Sequence, residues 1–327
     1  MQSLSEKTLV VTGGAGFIGS SFVRMLLGGH LGDIPKRVYV LDSLTYAGSP
    51  ENLSTFLDHD KFEFVVGDIR SSELVNDLFS EIDLVVHFAA ESHVDRSISD
   101  SSNFVSTNVL GTHVLLDASV RHNIDTFLHV STDEVYGSIN EGYWNESQPL
   151  QPNSPYAASK AASDLIVRSF GITHGLDVRI SRCSNNYGPF QYPEKLIPLV
   201  VTNLLSGKKI PVYGNGMNKR EWIHCDDHSR AIHKILLGGN PQNVYNIAGQ
   251  LEISNLNLVR MILDIMGKNS DEIEFVVDRK GHDFRYALDG RKLQETLQFT
   301  PNTDFEIGLR ETVDWYADNQ DWWKSRV

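Results

Sequence analysis

The sequence predicts a doubly wound α/β fold, in which a parallel β-sheet is covered by helices on both faces and a smaller C-terminal lobe lies beside it. Short apolar runs such as TLVVTG (8–13) and DLVVHFAA (83–90) are continuous rather than alternating, which is typical of strands buried on both faces. Helix-like segments separate such runs, for example at 17–27, 103–120 and 156–173. Strands that alternate with helices indicate a parallel sheet with crossover connections.

The remaining strand candidates follow in chain order: RVYVLD (37–42), FEFVVGD (62–68), TFLHVS (126–131) and DVRISRC (177–183). After about residue 185 the chain becomes richer in Pro, Asn and Gly, without a Ser/Gly linker. We therefore expect residues 1–184 to form a nucleotide-binding domain that also carries the catalytic residues. Residues 185–327 are expected to form mainly a substrate-binding lobe, packed as one unit with the first domain.

Length, charge and cysteine content narrow the functional class. The 327 residues are 41% hydrophobic, and a formal net charge of -13 argues against a general nucleic-acid binder, which needs clustered Lys and Arg. Two cysteines, Cys183 and Cys225, make neither a disulfide framework nor a metal cluster, and the histidines show no metal spacing, so no metal is predicted. Without a signal peptide or an apolar span, a cytoplasmic protein away from membranes is expected.

A glycine-rich segment joins the first predicted strand to the first predicted helix. In VVTGGAGFIGSSF, Gly13, Gly14, Gly16 and Gly19 satisfy both G-x-G-x-x-G and G-x-x-G-x-x-G. Glycine permits a tight turn and lets the backbone approach a pyrophosphate at the helix N-terminus. In this context the motif predicts a Rossmann-type dinucleotide site.

An acidic residue at the end of the second strand indicates which dinucleotide is bound. The carboxylate of Asp42 can accept hydrogen bonds from an adenosine ribose and would repel a 2′-phosphate, which favours NAD over NADP. GDIR and HFAAES end the next two strands at the same predicted edge of the sheet. The small side chains of Ala89 and Ala90 would allow close contact with the cofactor there.

A tyrosine and a lysine stand four residues apart at the start of the 156–173 helix. This spacing puts Tyr156 and Lys160 on one helical face. A tyrosine with an ordinary pKa near ~10 is a poor base at neutral pH. A nearby ammonium and a nicotinamide cation favour the phenolate, so we expect the pKa of Tyr156 to be lowered.

Two adjacent acids, Asp133 and Glu134, follow the strand in HVSTDEVYGS. Two close carboxyl groups cannot easily both be ionised, so one of them is expected to keep a proton near neutral pH. The sequence leaves open which one. Neighbouring residues in a strand face opposite sides, so both acids can reach one ligand only if the chain leaves strand geometry there.

Together these motifs resemble the extended short-chain dehydrogenase/reductase family, and within it the dTDP-glucose 4,6-dehydratases. TGGAGFIG, STDEVYG and YAASK carry the wider resemblance. LDSLTYAG, AAESHVDRSI, RCSNNYGPFQYPEKLIPL, REWIHCDDH and DRKGHDFRYALD extend the closer one along almost the whole chain. One departure is Phe284, where a basic residue is expected.

The resemblance implies a dehydration of a nucleotide-linked hexose by bound NAD. Oxidation of the C4 hydroxyl makes the C5 proton acidic, water leaves from C5 and C6, and hydride returns to C6. Tyr156, supported by Lys160, would take the C4 hydroxyl proton, and Thr132 would hydrogen-bond at C4. Glu134 would be the C5 base and Asp133 the C6 acid.

The resemblance also implies the two sets of binding residues. NAD would be bound by Gly13, Gly16, Phe17, Ile18, Gly19, Asp42, Ser43, Leu44, Thr45, Asp68, Ile69, Phe88, Ala89, Ala90, Ser92, Thr107, Tyr156, Lys160 and Asn186. The nucleotide sugar would be bound by Ser92, Thr132, Asn185, Lys195, Leu196, Pro211, Val212, Tyr213, Arg220, Asn246, Asp278, Arg279 and His282. Among these, Lys195, Arg220 and Arg279 could neutralise the diphosphate. His93 is expected to pack rather than bind.

Several rival functions share the fold. A 4-epimerase needs the tyrosine and NAD but not the Asp133–Glu134 pair, and a decarboxylase or a mannose-type 4,6-dehydratase resembles Thr-Ser-Glu rather than Thr-Asp-Glu. A UDP-glucose 4,6-dehydratase would carry the same catalytic residues, and a non-catalytic NAD-binding scaffold is a candidate of another class. The family resemblance also implies a homodimer, paired through helices in 98–120 and 156–173.

Overall fold

A computed structural model describes residues 4–327. Its strands, in chain order, are β1 (Thr8–Thr12), β2 (Arg37–Asp42), β3 (Phe62–Val66), β4 (Leu84–His87), β5 (Thr126–Thr132), β6 (Val178–Cys183), β7 (Asn185–Tyr187), β8 (Ile210–Tyr213), β9 (Lys219–His224), β10 (Asn243–Ile247), β11 (Leu251–Ser254) and β12 (Ile273–Val276). Its α-helices are α1 (Phe17–Leu27), α2 (Ser72–Phe79), α3 (Val94–Ser99), α4 (Ser102–Phe104), α5 (Thr112–Arg121), α6 (Pro155–His174), α7 (Leu196–Leu205), α8 (Cys225–Gly238), α9 (Asn255–Ile265), α10 (Arg291–Leu297), α11 (Phe305–Asp318) and α12 (Gln320–Lys324).

Seven parallel strands form the main sheet, in the order β10-β6-β5-β4-β1-β2-β3. This order confirms the predicted doubly wound fold. The strand order reverses beside β1, and in such sheets ligands bind in the crevice outside the carboxyl ends of the strands at that point. The predicted strands 62–68 and 83–90 end earlier than expected, which leaves Asp68 and the residues after His87 free to face that crevice.

The division of the chain at residue 184 needs correction, because the chain returns to the main sheet after leaving it. β10 pairs in parallel with β6 as the seventh strand. α8 also packs on the sheet, where Ile232 and Ile235 share a buried core with Val11 of β1 and Leu128 of β5. The second lobe is therefore built from segments on either side of α8 and β10.

The second lobe has two small sheets and a core of its own. One sheet has the order β11-β9-β7 and the other pairs β12 with β8. α7, α9 and α11 enclose a cluster that includes Val200, Leu258 and Tyr316. Within the described residues, no helix combines the length and apolar character needed to cross a membrane.

The long helix predicted at 103–120 is three consecutive pieces: α4, a π-helical segment at Val105–Gly111, and α5. Asn108 holds the π segment in place. Its side chain donates to Ser159 Oγ on α6 at 2.8 Å and to the backbone oxygen of Glu91 at 3.0 Å. π-helical turns are rare and occur mostly at functional sites.

Helix α6 is delimited by strong local signals. Ser154 caps its N-terminus by accepting from the backbone N–H of Ala157, Pro155 occupies the first turn, and Gly175 follows in the left-handed conformation with φ 71°. These signals fix the first two turns of α6, where Tyr156 and Lys160 lie buried on one face, beside the end of β5.

Candidate active site

A cleft of about 720 Å³ runs along the carboxyl ends of the central strands and continues between the sheet and the second lobe. Its floor is formed by the glycine loop after β1 and by the residues that follow β4, β5 and β6. β8, β9 and the segment after β12 contribute the opposite wall. One cavity can thus hold a dinucleotide on the sheet and a second ligand against the smaller lobe.

The glycine loop leaves room for a pyrophosphate in front of α1. Gly13 has a φ of +70°, and a Cβ there would lie 2.5 Å from the backbone nitrogen of Ala89. A Cβ on Gly19 would lie 2.3 Å from the backbone oxygen of Gly13. At Gly16, the N-cap of α1, a Cβ would meet only that oxygen, at 3.3 Å, so the space ahead of the helix is open. Backbone N–H groups and the helix dipole favour an anion there.

Asp42 ends β2 and lies buried at the cleft. Its Oδ2 accepts from the backbone N–H of Ala15 at 2.9 Å, and its Oδ1 accepts from that of Leu44 at 2.9 Å. Burial raises the pKa of Asp42. Each carboxylate oxygen has a further lone pair, so ribose hydroxyls can still donate to it. The residues present therefore fit NAD.

The acidic pair lies where the chain leaves β5. The strand ends at Thr132, and Asp133–Tyr136 form a 3₁₀ turn, which confirms that strand geometry is abandoned there. The Thr132 hydroxyl donates to Asp133 Oδ1 at 3.1 Å and accepts from the backbone N–H of Glu134 at 3.3 Å. Both acids line the cleft as a result.

The two carboxyl groups have different surroundings. Burial and the neighbouring Glu134 raise the pKa of Asp133 well above its ordinary value. Burial also raises the pKa of Glu134, but three cations, Arg279, Arg220 and Lys195, oppose that rise by stabilising its carboxylate. These surroundings favour the protonated form at Asp133 over Glu134.

Tyr156 and Lys160 both line the cleft, and burial shifts the pKa of each side chain. Burial and Glu134 raise the pKa of Tyr156 well above its ordinary value, while a hydrogen bond with Thr132 opposes this. Burial lowers the pKa of Lys160 to about 8, and its Nζ donates to the backbone oxygen of Val130 at 2.8 Å. The expected lowering of the pKa of Tyr156 includes the charge of the nicotinamide ring and so stays a prediction, whereas the protein's own groups favour the phenol.

Three cations occupy the substrate side of the cleft. Lys195 Nζ donates to the backbone oxygen of Ser92 at 3.0 Å. Arg220 is 5% exposed and stacks over the ring of Tyr286, with 4.4 Å from its guanidinium carbon to the ring centre. The Nε of Arg279 is buried without a hydrogen-bond partner among the described residues. These groups give an otherwise acidic protein a local site for a diphosphate.

The structure brings most of the predicted residues to this one cleft. From the cofactor set, these are Gly13, Gly16, Phe17, Ile18, Gly19, Asp42, Ser43, Thr45, Asp68, Ile69, Phe88, Ala89, Ala90, Ser92, Thr107, Tyr156, Lys160 and Asn186. From the substrate set, they are Ser92, Thr132, Asn185, Lys195, Leu196, Pro211, Val212, Tyr213, Arg220, Arg279 and His282.

Three predicted residues do not line the cleft. Asn246 is fully buried, and its side chain donates to Trp144 and accepts from Tyr136, so its assignment as a substrate contact is corrected. Leu44 contributes its backbone N–H to Asp42 rather than a surface. Asp278 instead contacts His282, whose Nδ1 lies 2.6 Å from Asp278 Oδ1.

Some residues that line the cleft had no role, or a different role, in the sequence-based predictions. Glu194 and Tyr286 both line it; the Tyr286 hydroxyl donates to Asp283 Oδ2 at 2.7 Å. His93 also lines the cleft, while its ring accepts from the backbone N–H of Arg96 and so caps α3. Glu194 could have been noticed as an acid beside Lys195, but nothing marks Tyr286 apart from other tyrosines.

Phe284 and a polar cluster at the start of α8 do not line the cleft. The Phe284 side chain is 50% exposed and does not line the cleft, so the departure from the family pattern leaves the cleft lining unchanged. Among the described residues, His224, Cys225 and Asp226 place possible metal-ligand atoms within 4.8 Å of one another. His224 accepts from the backbone N–H of Asp226, so this cluster is the N-cap of α8, and we assign it no metal.

Comparison with known proteins identifies the family. The family model for GDP-mannose 4,6 dehydratase matches residues 10–312. The chain belongs to the GDP-mannose 4,6-dehydratase family. Both the glycine loop and the Asp133–Glu134 turn lie inside the matched segment.

Comparison with individual proteins finds dTDP-glucose 4,6-dehydratases at high identity and an epimerase at lower identity. It is 54% identical over 317 residues to a dTDP-glucose 4,6-dehydratase of Streptomyces niveus, covering 97% of this chain and 94% of that protein. The solved structure of DesIV, a dTDP-glucose 4,6-dehydratase from Streptomyces venezuelae with NAD bound, is 54% identical with a TM-score of 0.97, covering 98% and 100% of the two chains. A UDP-glucose 4-epimerase of Thermotoga maritima is 28% identical with a TM-score of 0.88, covering 96% and 99%.

Proposed function

We propose that this protein is a dTDP-glucose 4,6-dehydratase that works with tightly bound NAD and forms dTDP-4-keto-6-deoxyglucose. The observation that carries the proposal is the turn after β5, which brings Asp133 and Glu134 into the same cleft as Thr132 and Tyr156. An epimerase has no use for this acid–base pair. The named activity of the relatives above supports the same function.

The chain's own residues divide the reaction between them. Bound NAD would supply the acceptor and later the donor of hydride, and its positively charged ring would favour the Tyr156 phenolate. Tyr156 takes the C4 hydroxyl proton while Thr132 orients that hydroxyl. Glu134 removes the C5 proton, a role for which its flanking cations favour the carboxylate form, and Asp133 protonates the C6 oxygen so that it leaves as water. Lys195, Arg220 and Arg279 bind the diphosphate.

One experiment tests this function directly. Purified protein is incubated separately with dTDP-glucose and UDP-glucose, and the products are read by mass. We expect the thymidine sugar to lose one water and gain a keto group, and the uridine sugar to react more slowly. An unchanged mass with an inverted C4 configuration would instead identify an epimerase.

The cofactor should remain with the protein through purification, because hydride is returned in every turnover. We expect denaturation of the purified protein to release close to one NAD per chain. Gly16→Val should abolish this, since the valine side chain would fill the space before α1, where the backbone oxygen of Gly13, 3.3 Å from the added Cβ, is the one atom that must yield slightly. The variant's unfolding midpoint should match that of parent protein stripped of NAD, because bound NAD itself stabilises the parent. NAD retention by Gly16→Val would show that the pyrophosphate lies elsewhere.

We also propose a homodimer that pairs through the π segment and α6. Leu110 in the π segment is 52% exposed, and Leu165 and Ile172 on α6 are 58% and 61% exposed. Ile166 lines a shallow groove beside the π segment. Exposed apolar side chains grouped in this way are typical of a protein–protein contact.

The cytoplasmic location remains a prediction.

Leu165→Glu tests this surface. We expect light scattering during gel filtration to give the dimer mass for the parent and the monomer mass for the variant, because a charge would be buried in the contact. Ile307→Glu is the matched control, since Ile307 on α11 is 60% exposed outside this surface. Equal masses for both variants would contradict the assigned interface.

A further inference from the structure

The segment that follows β2 forms one side of the cleft where NAD would lie. Residues 43–53, which we call the cofactor loop, run from the end of β2 into a 3₁₀ helix at Pro50–Phe56. The loop passes so close to Asp42 that a Cβ on Gly48 would lie 2.7 Å from Asp42 Oδ1. NAD with its ribose at Asp42 would therefore contact the cofactor loop. Four residues of this loop line the cleft, namely Ser43, Thr45, Ala47 and Gly48.

Two hydrogen bonds join the cofactor loop to the glycine loop in front of α1. The backbone N–H of Ser49 donates to the backbone oxygen of Ala15 at 3.0 Å, and Asn52 Nδ2 donates to the same oxygen at 2.8 Å. Asn52 is buried, so water does not compete for this bond. The backbone N–H of Ala15 in turn donates to Asp42 Oδ2. One set of contacts thus fixes the cofactor loop, the pyrophosphate site and the ribose site relative to one another.

Two side chains near the C-terminus hold the cofactor loop away from the cleft. Trp322 Nε1, on α12, donates to Asn52 Oδ1 at 3.0 Å. Arg326 donates to Ser49 Oγ at 2.9 Å and to Glu51 Oε2 at 2.6 Å. Its guanidinium carbon lies 4.3 Å from the centre of the Trp322 ring. Neither Trp322 nor Arg326 lines the cleft, and we call the two side chains the C-terminal clamp.

The C-terminal clamp is anchored in the second lobe. Trp323, next to Trp322, is buried in the core of that lobe, and its Nε1 donates to the backbone oxygen of Tyr316 on α11 at 2.8 Å. The backbone oxygen of Arg326 accepts from the Tyr192 hydroxyl at 3.1 Å, and Tyr192 itself lines the cleft. The clamp therefore joins the cofactor loop to the second lobe.

We propose that Trp322 and Arg326 are positioning residues for NAD, which hold the cofactor loop in its binding-competent place and so slow the release of the cofactor. A loop that is already ordered loses less conformational entropy when its ligand binds. Without the clamp, the loop would occupy the closed arrangement for a smaller fraction of the time, and the apparent affinity for NAD would fall in proportion. The inference concerns the cofactor alone and does not depend on which sugar the protein converts.

The double variant Trp322→Phe/Arg326→Met tests the clamp, because both substitutions remove hydrogen bonds to the cofactor loop. Since one hydrogen bond shifts an equilibrium by about two- to tenfold, we expect NAD to leave the double variant about tenfold or more faster than the parent. Rapid filtration at successive times after dilution separates bound from free NAD and gives the release rate. With dTDP-glucose, half-maximal activity should require more added NAD, while kcat at saturating NAD should stay close to the parent's.

Trp323→Phe/Arg310→Met is the matched control. Trp323→Phe removes an indole N–H from the same helix, but that group donates inside the second lobe and not to the cofactor loop. Arg310 is exposed on α11. The control should release NAD at the parent's rate even if urea denaturation shows a lower stability. Release from the control as fast as from the double variant would overturn the proposal, because a general loss of stability would then explain both.

Hydrogen exchange on protein stripped of NAD gives a measurement that does not involve the cofactor. Peptides covering residues 43–56 should exchange faster in Trp322→Phe/Arg326→Met than in the parent, because local opening of a loop exposes its backbone N–H groups. The same peptides should match the parent in the control. Equal exchange of these peptides in the double variant and the parent would overturn the proposal, as would equal rates of NAD release.

Discussion

Glu134→Gln is expected to abolish dehydration while leaving the bound NAD and the oxidation at C4 intact. Glutamine keeps the size of the side chain and its place in the turn after β5, but it cannot accept the C5 proton. A positioned general base contributes about 10² to 10⁴ in rate, so we expect a loss of dTDP-4-keto-6-deoxyglucose formation in that range. Since oxidation still proceeds, reduced cofactor should accumulate.

Two readouts separate this result from general damage to the protein. Absorbance of reduced nicotinamide after addition of dTDP-glucose reports oxidation, and product mass reports dehydration. Glu306→Gln, a substitution at an exposed residue in the first turn of α11, is the control and should match the parent in both. If Glu134→Gln formed the 4-keto-6-deoxy sugar at the parent's rate, the base would have to be another group.

Asp164→Asn is expected to cause the largest loss of stability of any single charge removal discussed here. Asp164 Oδ2 accepts from Arg182 Nε at 2.8 Å, and the two side chains are 1% and 6% exposed. Arg182 in turn donates to the Tyr136 hydroxyl at 2.7 Å. Removing one partner of a buried pair leaves the other charge without compensation, which costs about 3–5 kcal/mol in unfolding free energy. Urea denaturation measures the difference.

Asp117→Asn is the matched control for that substitution. Asp117 forms an exposed i,i+4 pair with Arg121, at 2.7 Å, and such pairs contribute less than about 1 kcal/mol. A loss for Asp164→Asn no larger than for Asp117→Asn would show that the buried pair is not what stabilises α6 against β6.

The same pair predicts a pH dependence of stability. Although burial alone would raise it, the pKa of Asp164 is lowered to about 2 by Arg182 and His129. A group whose pKa falls on folding stabilises the protein above its unfolded pKa, near ~4 for Asp, and loses this effect as the pH approaches the folded value. The stability difference between the parent and Asp164→Asn should therefore shrink as the pH falls from about 4 toward 2.

Most of the main sheet could be predicted because its strands are buried on both faces and therefore read as continuous apolar runs. β10 could not, since NVYNI places asparagine at 243 and 246 and lies in a region otherwise rich in turns. The π segment could not be predicted from the sequence either, for a different reason. Its altered hydrogen bonding shifts residues by only one position, a change that apolar periodicity does not register.

The chemistry of the site was more predictable than its electrostatics. The resemblance of their motifs to a known family was enough to predict that Asp133, Glu134 and Tyr156 share one site. The direction of the pKa of Tyr156 in the folded protein depends on how deeply the ring is buried and how close Glu134 lies, and neither quantity can be read from a linear chain. Asn246 was misassigned because its side chain is buried in contact with Tyr136 and Trp144, partners that the linear sequence does not reveal.

Because the chain returns to the main sheet at β10, no single cut separates the nucleotide-binding domain from the second lobe. A fragment ending at residue 184 would leave the edge of β6 unpaired and would expose the face of the main sheet that α8 covers. Both changes favour aggregation. During synthesis, the nucleotide-binding half cannot be completed until residue 247 has left the ribosome. Replacing the second lobe by that of a relative through one exchange point would divide the main sheet between two proteins. Exchanging separately the segments before α8 and after β10 would keep that sheet intact.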